Sequence, residues 1–520
     1  MGLEMKQTYL IAPPCDGTIE GFPGALTVLK NYLDYKLGKN LSHILDLEAE
    51  PISQVKEQLS KYMPQEAIFG ITATTATYKN ALQVARVVKE INPNATVIIG
   101  GHHVKSRTKQ EQIILKKHSE IIDYVCLGDG EKTLEALMQG KTGSEVPNVA
   151  FLLDEQICYS QQEDLPIEEW EEVPFSLYKT KSKPGKFDEG VSYVSSRGCN
   201  YKCTFCSVGR DAIRQKSEDR MILDLKEIVL REGVKNVAFE NNFFSQNVRA
   251  TYQLAQRLIQ EREKNPDFAF NWTCQTRVEY LSSSGLSLDE FVSTLYKSGA
   301  KKIYLGIENF DPRLLLEMSK VGNPVEMSSL SSEKLEKRLK QFRVKYVAKA
   351  FENADVILSH PIELEVLFML GRPSEDALTE KVNVESLYQL GKTAKDKCRT
   401  IHVCPSLSVV YPGTLDAERL LRETDPSWNT IFEDFTSWEN ENTPERRNLI
   451  DFVRENFAHG GGGIPWGLLD YDALKEREFR IDPKKQSRIE NYLKKIRELE
   501  QDQGASITIR RFVDDIQRSQ

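Results

Sequence analysis

With 520 residues, 40% of them hydrophobic and 28% charged, the chain has room for roughly two to four packed domains and is too polar for a membrane bundle. A net charge of −8 removes the general case for a nucleic-acid binder, and no apolar run approaches the roughly 20 residues of a membrane span. Nine cysteines behind an N-terminus that runs directly into a strand, with no secretory leader, predict a reducing, cytoplasmic setting.

Residues 7–12 predict a strand and 26–37 a helix. Then come a strand near 44–47, a helix over 52–62, a strand over 67–71, a helix over 79–91, and strands over 96–99 and 123–127. Strands alternating with helices predict a doubly wound parallel sheet over residues 1–140, which binds ligands beyond its carboxyl edge. The run Thr72–Thr77, the pair Gly100-Gly101 and the turn Gly128-Asp129-Gly130 all fall on that edge. Small residues there let backbone approach a large flat ligand. Residues 141–190 read as a connector carrying a small hairpin, with Trp170 and Pro174 packing at the junction.

Beyond a strand at 191–194 and a polar loop at 195–198 stands Cys199-Asn-Tyr-Lys-Cys203-Thr-Phe-Cys206. Three thiolates from one loop can hold three corners of a cubane iron–sulfur cluster and leave the fourth iron open. A structural zinc site wants four ligands, yet no second Cys pair exists and no His follows before His360. Phe205 is placed to cover one side of such a cluster. The other six cysteines, Cys15, Cys126, Cys158, Cys274, Cys398 and Cys404, are scattered singly and read as small hydrophobes, not a second cluster.

A βα series follows, with strands over 234–239, 269–274, 302–305, 366–370 and 406–410. It predicts a partial barrel over residues 191–415. Its polar strand ends are Glu240-Asn241-Asn242, Arg277 and Glu308, on the face where such barrels place active sites. Residues 317–360, with a charged helix over 332–351, read as a surface insertion. Residues 416–520 predict a helical cap with helices at 415–421, 428–438, 445–457 and 485–500, a glycine loop at 459–463 and a charged tail from Ala505. Tyr411 and Trp466 are expected to shape a substrate pocket.

The motif Cys199-x3-Cys203-x-Phe205-Cys206 resembles that of the radical S-adenosylmethionine (radical SAM) superfamily. The preceding sheet, with Ile98-Ile-Gly-Gly-His102 and Cys126-Leu-Gly-Asp-Gly-Glu131, is similar to the cobalamin-binding subclass of that family. The resemblance implies an α/β chain: an N-terminal Rossmann-like sheet, a central partial (β/α)6 barrel and a mainly helical C-terminal cap. It implies a [4Fe-4S] cluster on Cys199, Cys203 and Cys206, whose open iron takes S-adenosylmethionine and delivers the electron that makes a 5′-deoxyadenosyl radical. Glu240, Asn241 and Asn242 would meet its amino group, Arg277 its carboxylate or ribose, and Glu308 its ribose or methionine. Cobalamin would lie against Thr74, Thr75, Gly100, Gly101, His102, Gly128, Gly130 and Glu131. The Asp-x-His-x-x-Gly motif of many cobalamin proteins is absent, so the cobalt is expected to take no protein histidine.

The implied activity is methylation of an unactivated carbon in a small molecule or peptide of specialised metabolism, with electrons from a flavodoxin or ferredoxin. The same scaffold also serves rearrangement, ring formation and cobalamin-free radical chemistry. A methylthiotransferase needs three further cysteines in the first domain, which offers only Cys15 and Cys126. A redox-sensing binding protein has no use for Glu240, Arg277 and Glu308.

Overall fold

The computed structural model describes residues 5–15, 24–62, 66–105, 108–176, 191–281, 285–322, 330–425, 427, 430–432, 457 and 463–510. The first sheet is built from β1 (Gln7–Ala12), β2 (Ser42–Asp46), β3 (Ala67–Thr72), β4 (Thr96–Gly100) and β5 (Tyr124–Cys126), then β6 (Val149–Leu153) and β7 (Gln156–Tyr159). Its order is β2-β1-β3-β4-β5-β6-β7, parallel as far as β5 and antiparallel beyond. Runs such as Thr96-Val-Ile-Ile99 are apolar on both faces because helices cover both; Val97, Ile98 and Ile99 are buried. Separate apolar clusters flank the two faces, as double winding requires. The hairpin assigned above to a connector instead extends this sheet, since β6 pairs with β5 and inserts Val149 and Ala150 into the core.

The second unit starts with β8 (Val191–Tyr193) and a two-stranded ribbon, β9 (Ser196–Cys199) and β10 (Asp211–Gln215). Next come β11 (Asn236–Phe239), β12 (Asn271–Arg277), β13 (Ala300–Glu308), β14 (Glu363–Leu370), β15 (Ile401–Leu407) and β16 (Ile507–Ile509). The sheet runs β16-β15-β14-β13-β12-β11-β8, all parallel, and β8 and β16 are its two edges, so the barrel stays open. Side chains alternate along each strand. Ile303, Leu305 and Ile307 pack outward under the helices. Lys302, Tyr304, Gly306 and Glu308 therefore face the lumen.

Three expectations are corrected here. The polar loop at 195–198 is mostly strand, because Ser196 and Arg197 pair with Gln215 and Arg214. The supposed surface insertion is the covering helix of the unit between β13 and β14. It runs as Ser332–Phe342, a widened turn at Arg343–Val347, and Ala348–Leu358. Its Tyr346 is fully buried and donates its hydroxyl towards the carbonyls of Gly306 (2.9 Å) and Ile307 (3.1 Å), where the pairing of β13 with β14 shifts register. High charge on its outer face hid the inner one. Finally, the tail from Ala505 contains β16, which pairs with β15. Helices Leu415–Glu423 and Pro483–Glu498 agree with the cap expected. All but residues 430–432 and 457 of the helices placed at 428–438 and 445–457, and most of the glycine loop at 459–463, lie outside the described residues.

Candidate functional site

A cavity of about 610 Å3 separates the carboxyl edge of the first sheet from the β9–β10 ribbon. Gly100, Gly101, His102, Gly128, Gly130 and Glu131 line the sheet side. Ser196, Arg197, Arg214, Glu240 and Asn242 are on the barrel side. Ion pairs bind the two walls together: Arg197 to Glu131 (2.5 Å) and Asp129 (3.2 Å), Arg214 to Asp129 (2.7 Å), and Lys105 to Asp211 (3.7 Å). The Arg197 guanidinium also lies over the Trp170 ring, 4.7 Å from its centre.

The glycines are of two kinds. A Cβ on Gly100 would meet Cys126 at 3.4 Å, and one on Gly128 would meet Asn148 at 3.4 Å. Neither has a positive φ, so neither packing nor conformation demands glycine there. Their missing side chains leave the sheet wall of the cavity flat, a surface that suits one face of a corrin. Gly101 differs: its φ is 110° and a Cβ would come within 2.6 Å of the Ala73 carbonyl. It serves the crossing of backbone between β3 and β4. Thr74 and Thr75, expected against the ligand, turn inward. Thr74 bonds Thr77 (Oγ1 to Oγ1, 3.1 Å) and Thr75 bonds the Nδ1 of buried His103 (3.2 Å). Thr72, at the end of β3, lines the cavity in their place.

Cys199 closes β9, and Cys203 and Cys206 follow in the loop before β10. Cys199 and Cys203 are buried and Cys206 is half-buried. Burial pushes the Cys199 thiol up and the Cys206 thiol up to about 11, and the charge of a neighbouring thiol adds to both. The three therefore stand close enough to feel one another. The Cys199 and Cys206 thiols stay protonated until a metal takes the place of the proton. A structural zinc site wants four ligands, and this loop offers three thiols. A cubane instead offers each thiolate its own iron, so this donor set fits a cluster.

Arg277, at the end of β12, reaches into this loop. Its Nη1 donates to Cys203 Sγ (3.3 Å), its Nη2 binds Glu279 (2.9 Å) and the Lys320 carbonyl, and it stacks 3.8 Å above the Tyr201 ring. Glu308, at the end of β13, pairs with buried Lys320 (3.0 Å) and holds a φ of 65°, a conformation a non-glycine residue adopts at some cost. Of the three residues after β11, Glu240 and Asn242 face the cavity. Asn241 does not: its Oδ1 accepts from the backbone N–H of Ser195 (2.9 Å) and Ser196 (3.1 Å), fixing the corner between β8 and β9. Trp466, expected in a substrate pocket, is fully buried over Arg372 and Arg419. Sequence reasoning missed Arg197 and Arg214. Their only signal was an arginine just before Cys199 and another just after the loop.

Residues 22–138 match the family model of the B12 binding domain, and residues 193–348 that of the radical SAM superfamily. An uncharacterised methyltransferase of Pyrococcus horikoshii is 26% identical over 337 residues, 60% of this chain and 68% of that protein. The hopanoid C-3 methylase of Methylococcus capsulatus is 28% identical over 198 residues, 36% of each chain. The structure of the radical SAM methyltransferase TsrM from Kitasatospora setae with cobalamin and a [4Fe-4S] cluster superposes with a TM-score of 0.60 at 15% identity. It covers 80% of this chain and 79% of that one. Cavity, thiol loop and both family models agree: the chain carries a B12 binding domain, residues 22–138, ahead of a radical SAM domain, residues 193–348.

Proposed function

We propose that this enzyme is a cobalamin-dependent radical SAM methyltransferase acting on an unactivated carbon of a small-molecule or peptide substrate in a biosynthetic route. One observation carries the reading: the β9–β10 ribbon that walls the cobalamin cavity also ends in Cys199, so both cofactor sites share one short piece of backbone. Two groups that must act on the same carbon have to lie within a few ångströms of it. When bound, the cluster with S-adenosylmethionine supplies a radical that abstracts hydrogen, and cobalamin supplies the methyl group.

The chain's own residues hold and aim these groups. Cys199, Cys203 and Cys206 ligate the cluster, and Arg277 donates to the Cys203 sulfur. Glu240 and Asn242, facing the cavity, accept from the amino group of S-adenosylmethionine. Glu308, steadied by Lys320, takes its ribose. Gly100, Gly128 and Gly130 leave room for the corrin, while Arg197 closes its flank through Glu131. His102 lines the cavity without serving as a cobalt ligand. Electrons come from a flavodoxin- or ferredoxin-type donor. Among the described residues, no helix is long and apolar enough to cross a membrane.

The test is anaerobic turnover of the reconstituted protein with cobalamin present. Expected products are 5′-deoxyadenosine and S-adenosylhomocysteine together, the second marking methyl donation. Release of 5′-deoxyadenosine alone would replace methylation by rearrangement or ring formation. Formation of neither by protein loaded with cluster and cobalamin would overturn the reading.

A further inference from the structure

The loop carrying the three cysteines is tied to the barrel by backbone at its centre. Thr204, between Cys203 and Phe205, donates its N–H to the Met318 carbonyl (3.0 Å) and accepts on its own carbonyl from the Asp416 N–H (3.0 Å). These two anchors belong to different elements. Met318 follows the helix Pro312–Glu317, and Asp416 lies in the first turn of the helix Leu415–Glu423.

The side chains beside those anchors meet on one guanidinium. Arg372, just past β14, binds Asp416 (Nη1 to Oδ2, 2.5 Å) and Glu317 (Nη2 to Oε1, 2.8 Å). The side chains of Arg372, Glu317 and Asp416 are 1%, 6% and 3% exposed. Arg419 adds a second contact to Glu317 (3.3 Å), and Ser374 a hydrogen bond to the same carboxylate. The indole of Trp466, from the C-terminal segment, lies over both arginines, 5.3 Å from Arg372 and 5.2 Å from Arg419.

We infer that Arg372 is a positioning residue for the cluster loop: it holds Glu317–Met318 and Asp416 at the spacing that lets both grip Thr204. The inference rests on the cluster reading above. The fork of an arginine suits the task, because it binds two carboxylates in fixed directions, whereas a lysine ammonium sets no direction. Two cations against two carboxylates leave little net charge in the group, so its effect is geometric. Trp466 covers the buried guanidinium of Arg372 and so ties the C-terminal segment to the cluster loop. The opposite flank of the loop has its own tether, from Arg210 Nη2 to the Gly413 carbonyl (2.5 Å).

The experiment compares the reconstituted wild type with Arg372→Lys, Asp416→Asn and Leu258→Ala. Leu258 is a buried residue of the helix Val248–Lys264, and its truncation destabilises the barrel without touching the loop. Two quantities are read: loss of cluster iron to a chelator, and the change that S-adenosylmethionine induces in the electron paramagnetic resonance of the reduced cluster. Arg372→Lys should lose iron about tenfold faster, the scale on which residues supporting metal ligands act, and show a diminished response to S-adenosylmethionine. Asp416→Asn should follow in the same direction to a smaller extent, and it decides the matter should the lysine variant fail to fold. Leu258→Ala should keep wild-type behaviour on both readouts even where its melting temperature falls as far. Wild-type iron retention and spectral response in folded Arg372→Lys or Asp416→Asn would overturn the inference, as would equal losses in Leu258→Ala. A wild type that takes up no cluster would instead overturn the reading on which it rests.

Discussion

The two sheets solve the same problem in opposite ways. The second is parallel throughout and the first as far as β5, and in sheets of both kinds ligands bind at the carboxyl edge. The first edge is smooth over its glycines: Gly100, Gly128 and Gly130 offer no side chain to the cavity, Thr74 spends its hydroxyl on its own turn and Thr75 on buried His103, and the charges of Asp129 and Glu131 go to Arg197 and Arg214. The second edge bristles with charge, and nearly all of it is already gripped: Arg277 by Glu279 and the Lys320 carbonyl, Glu308 by Lys320, and Arg372 by Glu317 and Asp416. A smooth edge admits a large ligand whose shape is already set. A charged, prepaired edge holds small groups at fixed angles, and can be dry without leaving a buried charge alone.

If the division is real, each edge can be broken without the other. The largest effect is expected from replacing Cys199, Cys203 and Cys206 together by alanine. That variant should lose all iron–sulfur absorbance after reconstitution and still take up cobalamin. Retention of about four irons per chain would contradict the ligand assignment, and loss of cobalamin as well would contradict the independence of the edges. The converse break is Gly100→Leu, which fills the cavity wall: cobalamin uptake should fall sharply with cluster content unchanged. Gly101→Ala provides the contrast. Its φ of 110° and the Ala73 carbonyl at 2.6 Å make the cost one of folding, about 1 kcal/mol or more, visible as a lower melting temperature. Equal stability in the two variants would erase the distinction between the glycines.

That distinction was not legible in the sequence. The apolar runs and their alternation with helices placed most strands of both sheets, because a strand buried on two faces has little choice of composition; the strand expected over 406–410 instead spans Ile401–Leu407, β15. The thiol loop was legible for a similar reason: few other uses exist for three cysteines at that spacing. Gly100 and Gly101 look alike on paper, and only the crossing at Ala73 separates them. The helix around Tyr346 read as surface because its charged residues outnumber the buried ones. β16 was missed because a three-residue strand at the far end of the chain announces its partner, β15, nowhere nearby. Asn241 was placed correctly along the chain, but its amide faces the β8–β9 corner and not the cavity, a difference of one position in the alternation of side chains.

Between the two edges the contact is charged, and it offers a smaller break. Arg197→Gln should leave Glu131 and Asp129 without their closest shared cation, Glu131 being almost fully buried. Removing one partner of a buried pair costs about 3 kcal/mol or more; Arg197 is partly exposed, so the lower end is expected. The measurable result is faster release of bound cobalamin on dilution. Adding Glu131→Gln should restore part of the loss. A double variant as weak as the sum of the singles would mean that the two side chains do not act as a pair.

An effect spread over several pH units tests how far the second edge tolerates an acid held by backbone. Glu375, in the turn after β14, is buried and its Oε2 accepts the Gly371 N–H at 2.8 Å. Burial raises its carboxyl to about 8; the Gly371 hydrogen bond and the charges of Arg488 and Arg372 oppose the rise without cancelling it. The ordinary value is 4.5, so the folded chain holds a proton that the unfolded chain gives up. Stability from this group is therefore complete below about pH 4.5. It is lost as the pH climbs towards 8, at no more than about 1.4 kcal/mol per unit. Glu375→Gln keeps the shape and an acceptor for Gly371 but has no proton to lose. Its melting temperature should match the wild type near pH 5 and exceed it increasingly up to pH 8. Parallel melting curves across that range would show that Glu375 ionises freely in place, and that this edge is wetter around Gly371 than its packing suggests.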